Sequence, residues 1–307
     1  MQNEAIQKSA LREAIAGRID ESFAGDGSVE PVSGLHLHRI SRLPGPLPGI
    51  SKPAFCVIAQ GAKEIRLGQN RYQYDPDHFL VASIELPITS RVIEASPARP
   101  YLSLRLDLDP VVVGSVIVEA DLAGVKTRTD VSAIGVSYLD SDLLDAILRL
   151  VRVSESPTQA HYLVPLITRE IVYRLLIGDQ GERLRGIAIH GGYSHRILGA
   201  IERLRNDFAK PLSIATVANE LGMSVSGLHH HFKAVTAMTP LQFQKQLRMQ
   251  EARRLIVGED LDAASAGYRV GYDDASYFSR DYKRFYGSPP MRDAARLRET
   301  AITGTGL

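Results

Sequence analysis

Two stretches in the last third of the chain repeat one spacing of capping, small and apolar residues, and that spacing leaves the backbone few options. The first is LSIATVANELGMSVSGLHHHFKAVT, residues 212–236. Ser213 can cap a helix whose Ile214, Val217, Ala218 and Leu221 share one face. Gly222 supplies a left-handed turn, and Ser224 caps a second helix that turns Leu228, Phe232 and Val235 inward. The second stretch is LDAASAGYRVGYDDASYFSRDYKRFYGSPP, residues 261–290. Gly271 is its turn, Asp273 or Asp274 its second cap, and Phe278, Tyr282 and Phe285 its buried stripe. A small residue four before each glycine, Ala218 or Gly267, lets the paired helices cross closely. LQFQKQLRMQEARRLIVG, just after Pro240, predicts a helix long enough to hold the two units at a fixed spacing. This is helix-turn-helix logic, in which the second helix of each pair enters a DNA major groove.

The earlier chain has a different period. From about Ser33 to Leu108, HLHRI, AFCVIAQ, KEIRL, RYQYD, HFLVAS, ITSRVIEA and YLSLRLDL read as short strands. Leu67-Gly68-Gln69-Asn70-Arg71 is a hairpin signal, and Pro44, Pro46 and Pro48 mark a loop outside any ladder. After Asp109 helical spacing takes over near 110–122, 139–153 and 158–177, and residues 1 to about 20 read as a short amphipathic helix. The expected class is α+β: an N-terminal antiparallel β-barrel with trailing helices over 1–180, a glycine-rich linker over 181–194, and an all-α domain over 195–307.

Charge follows the same division. Residues 1–180 carry 18 Lys and Arg against 22 Asp and Glu, whereas residues 181–307 carry 18 against 13 and five of the nine histidines. A basic helical domain suits a polyanionic partner. No apolar run approaches a membrane span, the start MQNEAIQKSALREAI has no hydrophobic signal segment, and the single cysteine, Cys56, suits a reducing cytoplasm.

The run VGYDDASYFSRDYKRFYGSPP closely resembles the signature of the AraC family of bacterial transcription regulators, and the likeness extends over residues 195 to about 297. CVIAQGAKEIRLGQNRYQYDP and LPITSRVIEASPARPYLSLRLDLDP are similar to an accessory domain of one AraC subgroup. The resemblance implies a cupin-like barrel that senses a small molecule and dimerises. It implies as partners double-stranded operator DNA, an effector and, where transcription is activated, RNA polymerase. One departure is Gly267, where the family usually has alanine. Glycine inside a helix costs about 1 kcal/mol relative to alanine, so a looser second unit is expected.

Within that resemblance Ser226, His229 and His230 match groove-facing positions, as do Ser276, Tyr277 and Arg280 in the second unit. The three adjacent histidines cannot converge on one ion, because consecutive helical residues point about 100° apart. His231 is expected at the core edge beside Leu228. Arg280 is the best base-contact candidate, since its planar fork can engage guanine in a bidentate manner. Its alternative is a structural ion pair, for instance with Asp274. Lys233, Lys283 and Arg284 are expected to meet phosphates.

The barrel does not read as an enzyme, and no cofactor or metal is expected. His36 and His38 share a strand face, yet no carboxylate follows them; Ser41 and Arg42 stand there instead. Cys56 lies in an apolar strand as a buried thiol, with redox sensing as its alternative. Phe55, Val57, Phe79 and Val81 are inward candidates for a ligand space, with plain core as the alternative. Two rival readings of the whole are a metal-dependent cupin enzyme fused to a DNA-binding domain and a non-specific nucleoid-binding protein.

Overall fold

The computed structural model describes residues 2–122, 131–188 and 192–303. Two units, residues 1–191 and 192–307, each hold their own contacts. In the first, α1 (Gln2–Glu21) precedes β1 (Gly27–Val32), β2 (Leu35–Ile40), β3 (Leu47–Ser51), β4 (Ala54–Gln60), β5 (Ala62–Leu67), β6 (Asn70–Tyr74), β7 (His78–Ala82), β8 (Leu86–Glu94) and β9 (Tyr101–Asp107). There follow α2 (Pro110–Glu119), β10 (Ile134–Tyr138), α3 (Ser141–Ser154), α4 (Pro157–Ile177) and α5 (Gly181–Ala188). The strands form two antiparallel sheets, ordered β1-β2-β9-β4-β7-β10 and β3-β8-β5-β6. The fold is α+β, with a barrel-like double sheet carrying helices on one side.

Alternation along the strands divides the chemistry. Phe55, Val57, Phe79, Val81, Leu104 and Leu106 turn to one face and join Ile15 and Ile19 of α1 and Val113, Leu143 and Ile147 in one buried cluster. The four residues expected to line a ligand space are therefore plain core beneath helices. The opposite face belongs to their neighbours, and the register there sets His36, Arg105, Cys56 and Leu80 in one row.

Several expectations need correction. β10 lies between the expected helices at 110–122 and 139–153, where no strand was expected; it is five residues long, and its pairing with β7 is what makes it a strand. β1 pairs with β2 ahead of the expected first strand. Pro48 stands inside β3, opposite Thr89. That is permitted because β3 is an edge strand, where a missing N–H leaves no neighbour unpaired. Residues 181–188, expected as linker, form α5, which packs on α2 and α4 with Leu184 fully buried. The remainder of that expected linker includes 189–191, outside the described residues.

The second unit contains α6 (Gly192–Asn206), α7 (Ile214–Glu220), α8 (Val225–Thr236), α9 (Pro240–Gly258), α10 (Ala263–Arg269), α11 (Ala275–Tyr286) and α12 (Pro290–Thr303). Both helix-turn-helix units close as their caps require. Ser224 Oγ accepts from Gly227 N at 3.1 Å, and Asp274 Oδ1 accepts from Tyr277 N at 2.5 Å. The turns place Gly222 at φ +61° and Gly271 at φ +87°. At Gly271 a Cβ would lie 1.9 Å from the Ala209 carbonyl oxygen, so only glycine fits.

Gly267 is not a loose point. A Cβ there would stand 2.9 Å from Phe278 Cγ, so the ring occupies the space the family's alanine would fill. Arg248 of α9 ties the unit together. Its guanidinium donates to the carbonyls of Phe208 (2.7 Å), Lys210 (3.0 Å), Ala209 (3.1 Å) and Gly271 (2.9 Å).

Two expected outcomes follow from these packings. Arg248→Met should destabilise the C-terminal unit by about 2–4 kcal/mol in urea unfolding, because several carbonyls lose their donor together. Arg248→Lys should not restore it, since an ammonium lacks the fork. His38, on the sheet face turned away from the helices, has its pKa pushed down to about 4 by burial, then by Lys63, His36 and Arg105. The unfolded chain therefore binds a proton below about pH 6.5 that the folded chain refuses until about pH 4. Stability of the first unit should fall across that window by about 3 kcal/mol, and His38→Gln should flatten the pH profile of its thermal melt.

Candidate nucleic-acid interface

Each second helix buries one side and presents the other. On α8, Leu228 and Phe232 are wholly buried, whereas Ser226, His230 and Lys233 are exposed and His229 is half-covered. The His230 and His231 rings meet edge to face at 5.1 Å, with His231 half-covered beside the buried stripe. Among the described residues no group of three His, Cys, Asp or Glu side chains could hold a metal ion. In the first unit, His36 instead meets carboxylates from elsewhere in the chain, Asp107 at 3.4 Å and Glu30 at 3.9 Å.

On α11, Phe278, Asp281 and Tyr282 are buried, and Ser276, Tyr277, Arg280, Lys283 and Arg284 are exposed. Arg280 has no ion pair among the described residues. Asp274, its expected structural partner, is occupied with the Tyr277 backbone N–H. The Arg280 guanidinium lies 5.9 Å from the centroid of the Tyr277 ring, so the two form one projecting aromatic and cationic surface. Lys233 and Lys283 likewise have no ion pair among the described residues.

Arg284 differs from the other candidates because it is paired with the buried Asp281. Asp281 also accepts from Lys245 at 2.7 Å and from the Tyr272 hydroxyl at 3.1 Å. Burial works to raise its carboxyl, but Lys245, Arg284 and Tyr272 outweigh that and hold it below the usual carboxylate range. Part of the Arg284 charge is thus committed inside the protein.

Tyr268 and Arg269, in the last turn of α10, are exposed beside the Gly271 turn and escaped notice in the sequence. Their position was the available signal, since the first helix of such a pair crosses the nucleic-acid backbone. The arrangement as a whole can offer planar cations, hydroxyls and imidazoles outward from two rigidly capped helices. No helix among the described residues is long and apolar enough to cross a membrane.

Comparison with known proteins agrees with this geometry. A family model described as the AraC-type transcriptional regulator N-terminus matches residues 31–183, and a helix-turn-helix domain model matches residues 217–296. The HTH-type transcriptional activator RhaS of Enterobacter sp. (strain 638) is 26% identical over 151 residues, covering 48% of this chain and 52% of that protein. RhaS of Escherichia coli O1:K1 / APEC is 25% identical over 166 residues, covering 52% and 57%. The chain thus spans about half the length of the curated relatives it matches. Among solved structures, ToxT from Vibrio cholerae O395 superposes with a TM-score of 0.55 at 10% identity, covering 86% of this chain and 98% of that one. A second ToxT structure gives 0.54 at 11% identity, covering 85% and 97%. At such identity these two speak for the fold alone. With models of the regulatory and helix-turn-helix portions matched in order along it, the chain belongs to the AraC family of transcriptional regulators.

Proposed function

We propose that the protein is a sequence-specific DNA-binding transcription regulator rather than an enzyme, acting in the cytoplasm as a homodimer. Its C-terminal unit reads an operator through α8 and α11, and its N-terminal unit receives a small-molecule effector. The observation that carries the reading is the outward face of α11, where Arg280 stands exposed, unpaired and braced by Tyr277. An arginine so held is prepared for guanine, and Ser226, His229, His230 and Ser276 add groups that can reach base edges. Lys233, Lys283 and Arg284, with Arg269, supply phosphate contacts.

Other observations support the remaining parts. RhaS is named a transcriptional activator, and contact with RNA polymerase belongs to the same reading for this chain. ToxT has been crystallised with (E)-4-(8-methylnaphthalen-1-yl)but-3-enoic acid and with an unsaturated fatty acid, which supports a small-molecule effector here. On α4, Tyr162, Leu166, Tyr173 and Ile177 recur at helical spacing and are all exposed, a stripe that suits a second copy of the chain. An effector shifts DNA binding only through different affinities for the competent and incompetent arrangements.

The test begins with selection of a preferred DNA site by the full chain. Arg280→Ala should weaken binding to that site by about 1–3 kcal/mol and leave random-sequence binding nearly unchanged. Equal losses on both would show that Arg280 touches only the backbone. Lys283→Ala should weaken both alike and reduce the salt dependence by about one ion.

A further inference from the structure

The cations on and against α11 are not all held alike. Tyr277, Arg280 and Arg284 recur at helical spacing and share one side of that helix. Arg280 and Lys283 have no ion pair among the described residues. Arg284, although its side chain is 71% exposed, turns back to the carboxylate of Asp281 three residues earlier. Lys245 of α9 reaches the same carboxylate at 2.7 Å, and its side chain is 36% exposed. The Tyr272 hydroxyl donates to it at 3.1 Å. One carboxylate thus holds two solvent-reaching cations from two helices.

Packing alone does not account for a carboxylate at this position. The Asp281 side chain is only 5% exposed, and its helix neighbours Phe278 and Tyr282 are wholly buried. Taking a charge out of water is costly, and a well-packed apolar residue often serves a core equally well. Asp293, also buried, makes the contrast. Besides the exposed Arg296, it closes a bidentate pair with Arg253, a side chain itself buried, and so secures α12 to α9 from inside. Asp281 has no buried cation, since both of its partners reach solvent.

That location matters for binding. Salt screens a pair with a buried partner much less than a fully exposed one, so the hold of Asp281 on both heads persists at moderate ionic strength. A cation that reaches a phosphate releases counterions and raises affinity for every sequence alike. A cation kept on a carboxylate contributes less of that gain.

We propose that Asp281 limits the sequence-independent affinity of the helix-turn-helix unit for DNA, by withholding the charged heads of Arg284 and Lys245 from phosphates. It is a specificity-determining residue that acts without touching DNA. This deepens the regulator reading above and rests on it. In the parent chain Arg284 then supplies only a partial phosphate contact, and Lys283 a full one.

The test measures binding of the full chain to a random-sequence duplex across a salt series. Asp281→Asn, close in shape and neutral, should tighten that binding about tenfold at about 0.1 M salt and steepen its salt dependence by about one ion. A merely structural carboxylate predicts the opposite, weaker binding on its removal. In a chain that already carries Lys245→Gln and Arg284→Gln, adding Asp281→Asn should change random-duplex binding little. Unchanged or weaker binding by the folded Asp281→Asn chain would overturn the proposal. So would a gain that persists in full without the two cations, because net charge alone would then explain it. Should Asp281→Asn fail to fold, the parent background decides. There Arg284→Gln should lower the salt dependence by less than Lys283→Gln does, and an equal loss would overturn the proposal. Binding to the selected DNA site, measured on the same preparations, separates the two readings. A preferred site with random-duplex binding unaltered by Asp281→Asn removes the present inference alone. Tighter random-duplex binding by Asp281→Asn, with no preferred site for the parent chain, removes the sequence-specific reading alone.

Discussion

The guanidinium of Arg248 is the tie on which the helix-turn-helix unit depends. From the middle of α9 it reaches the loop after α6, through the carbonyls of Phe208, Ala209 and Lys210, and the turn of the second pair, through Gly271. Gln244, one turn earlier, donates to Phe208 and Lys210 as well. Five donors in a rigid plane can serve several carbonyls at once, which no other side chain can do. Both ties run from α9, so the loop after α6 and the turn of the second pair are held to one helix.

The second helices of the two pairs, α8 and α11, share a scaffold and differ in chemistry. Serine caps α8 and aspartate caps α11, and each buries a large aromatic, Phe232 or Phe278, against its own first helix or α9. Outward, α8 carries imidazoles and a serine, whereas α11 carries the paired Tyr277 and Arg280. Asp281 pairs with Lys245 and Arg284, so Arg280 and Lys283 are the α11 cations with no ion pair among the described residues. In the proposed function, α11 would thus carry the stronger direct readout and α8 the more adaptable contacts.

In the first unit the strand period of two produces a comparable division of labour. One face of the six-stranded sheet is covered by helices, α1, α2 and α3 among them, and is largely apolar, with Arg39 paired to Asp20 of α1. The other looks toward the second sheet and carries His36, His38, Cys56, Ser103 and Arg105. A purely structural double sheet would gain more from apolar residues there.

The sequence by itself determined the helix-turn-helix pairs, their caps, the hairpin at Gly68–Gln69 and the overall class, since each is written in residues within a few positions of one another. It also singled out Arg280, because a cation beside a buried stripe is a local pattern. Only the tertiary structure decided what depends on distant partners. IGVSY became β10 because β7 was there to pair with it, and Pro48 entered a strand because β3 happened to lie at an edge. Phe55 and Val57 went to the helices, and Cys56 to the interior, because the sheet received its helical layer on one side only. Arg280 was left free, and Arg284 bound, by where Asp281 came to rest. The reason is the same in each case: caps and turns are satisfied by near neighbours, whereas burial and ion pairing are settled by whichever segment folds against them.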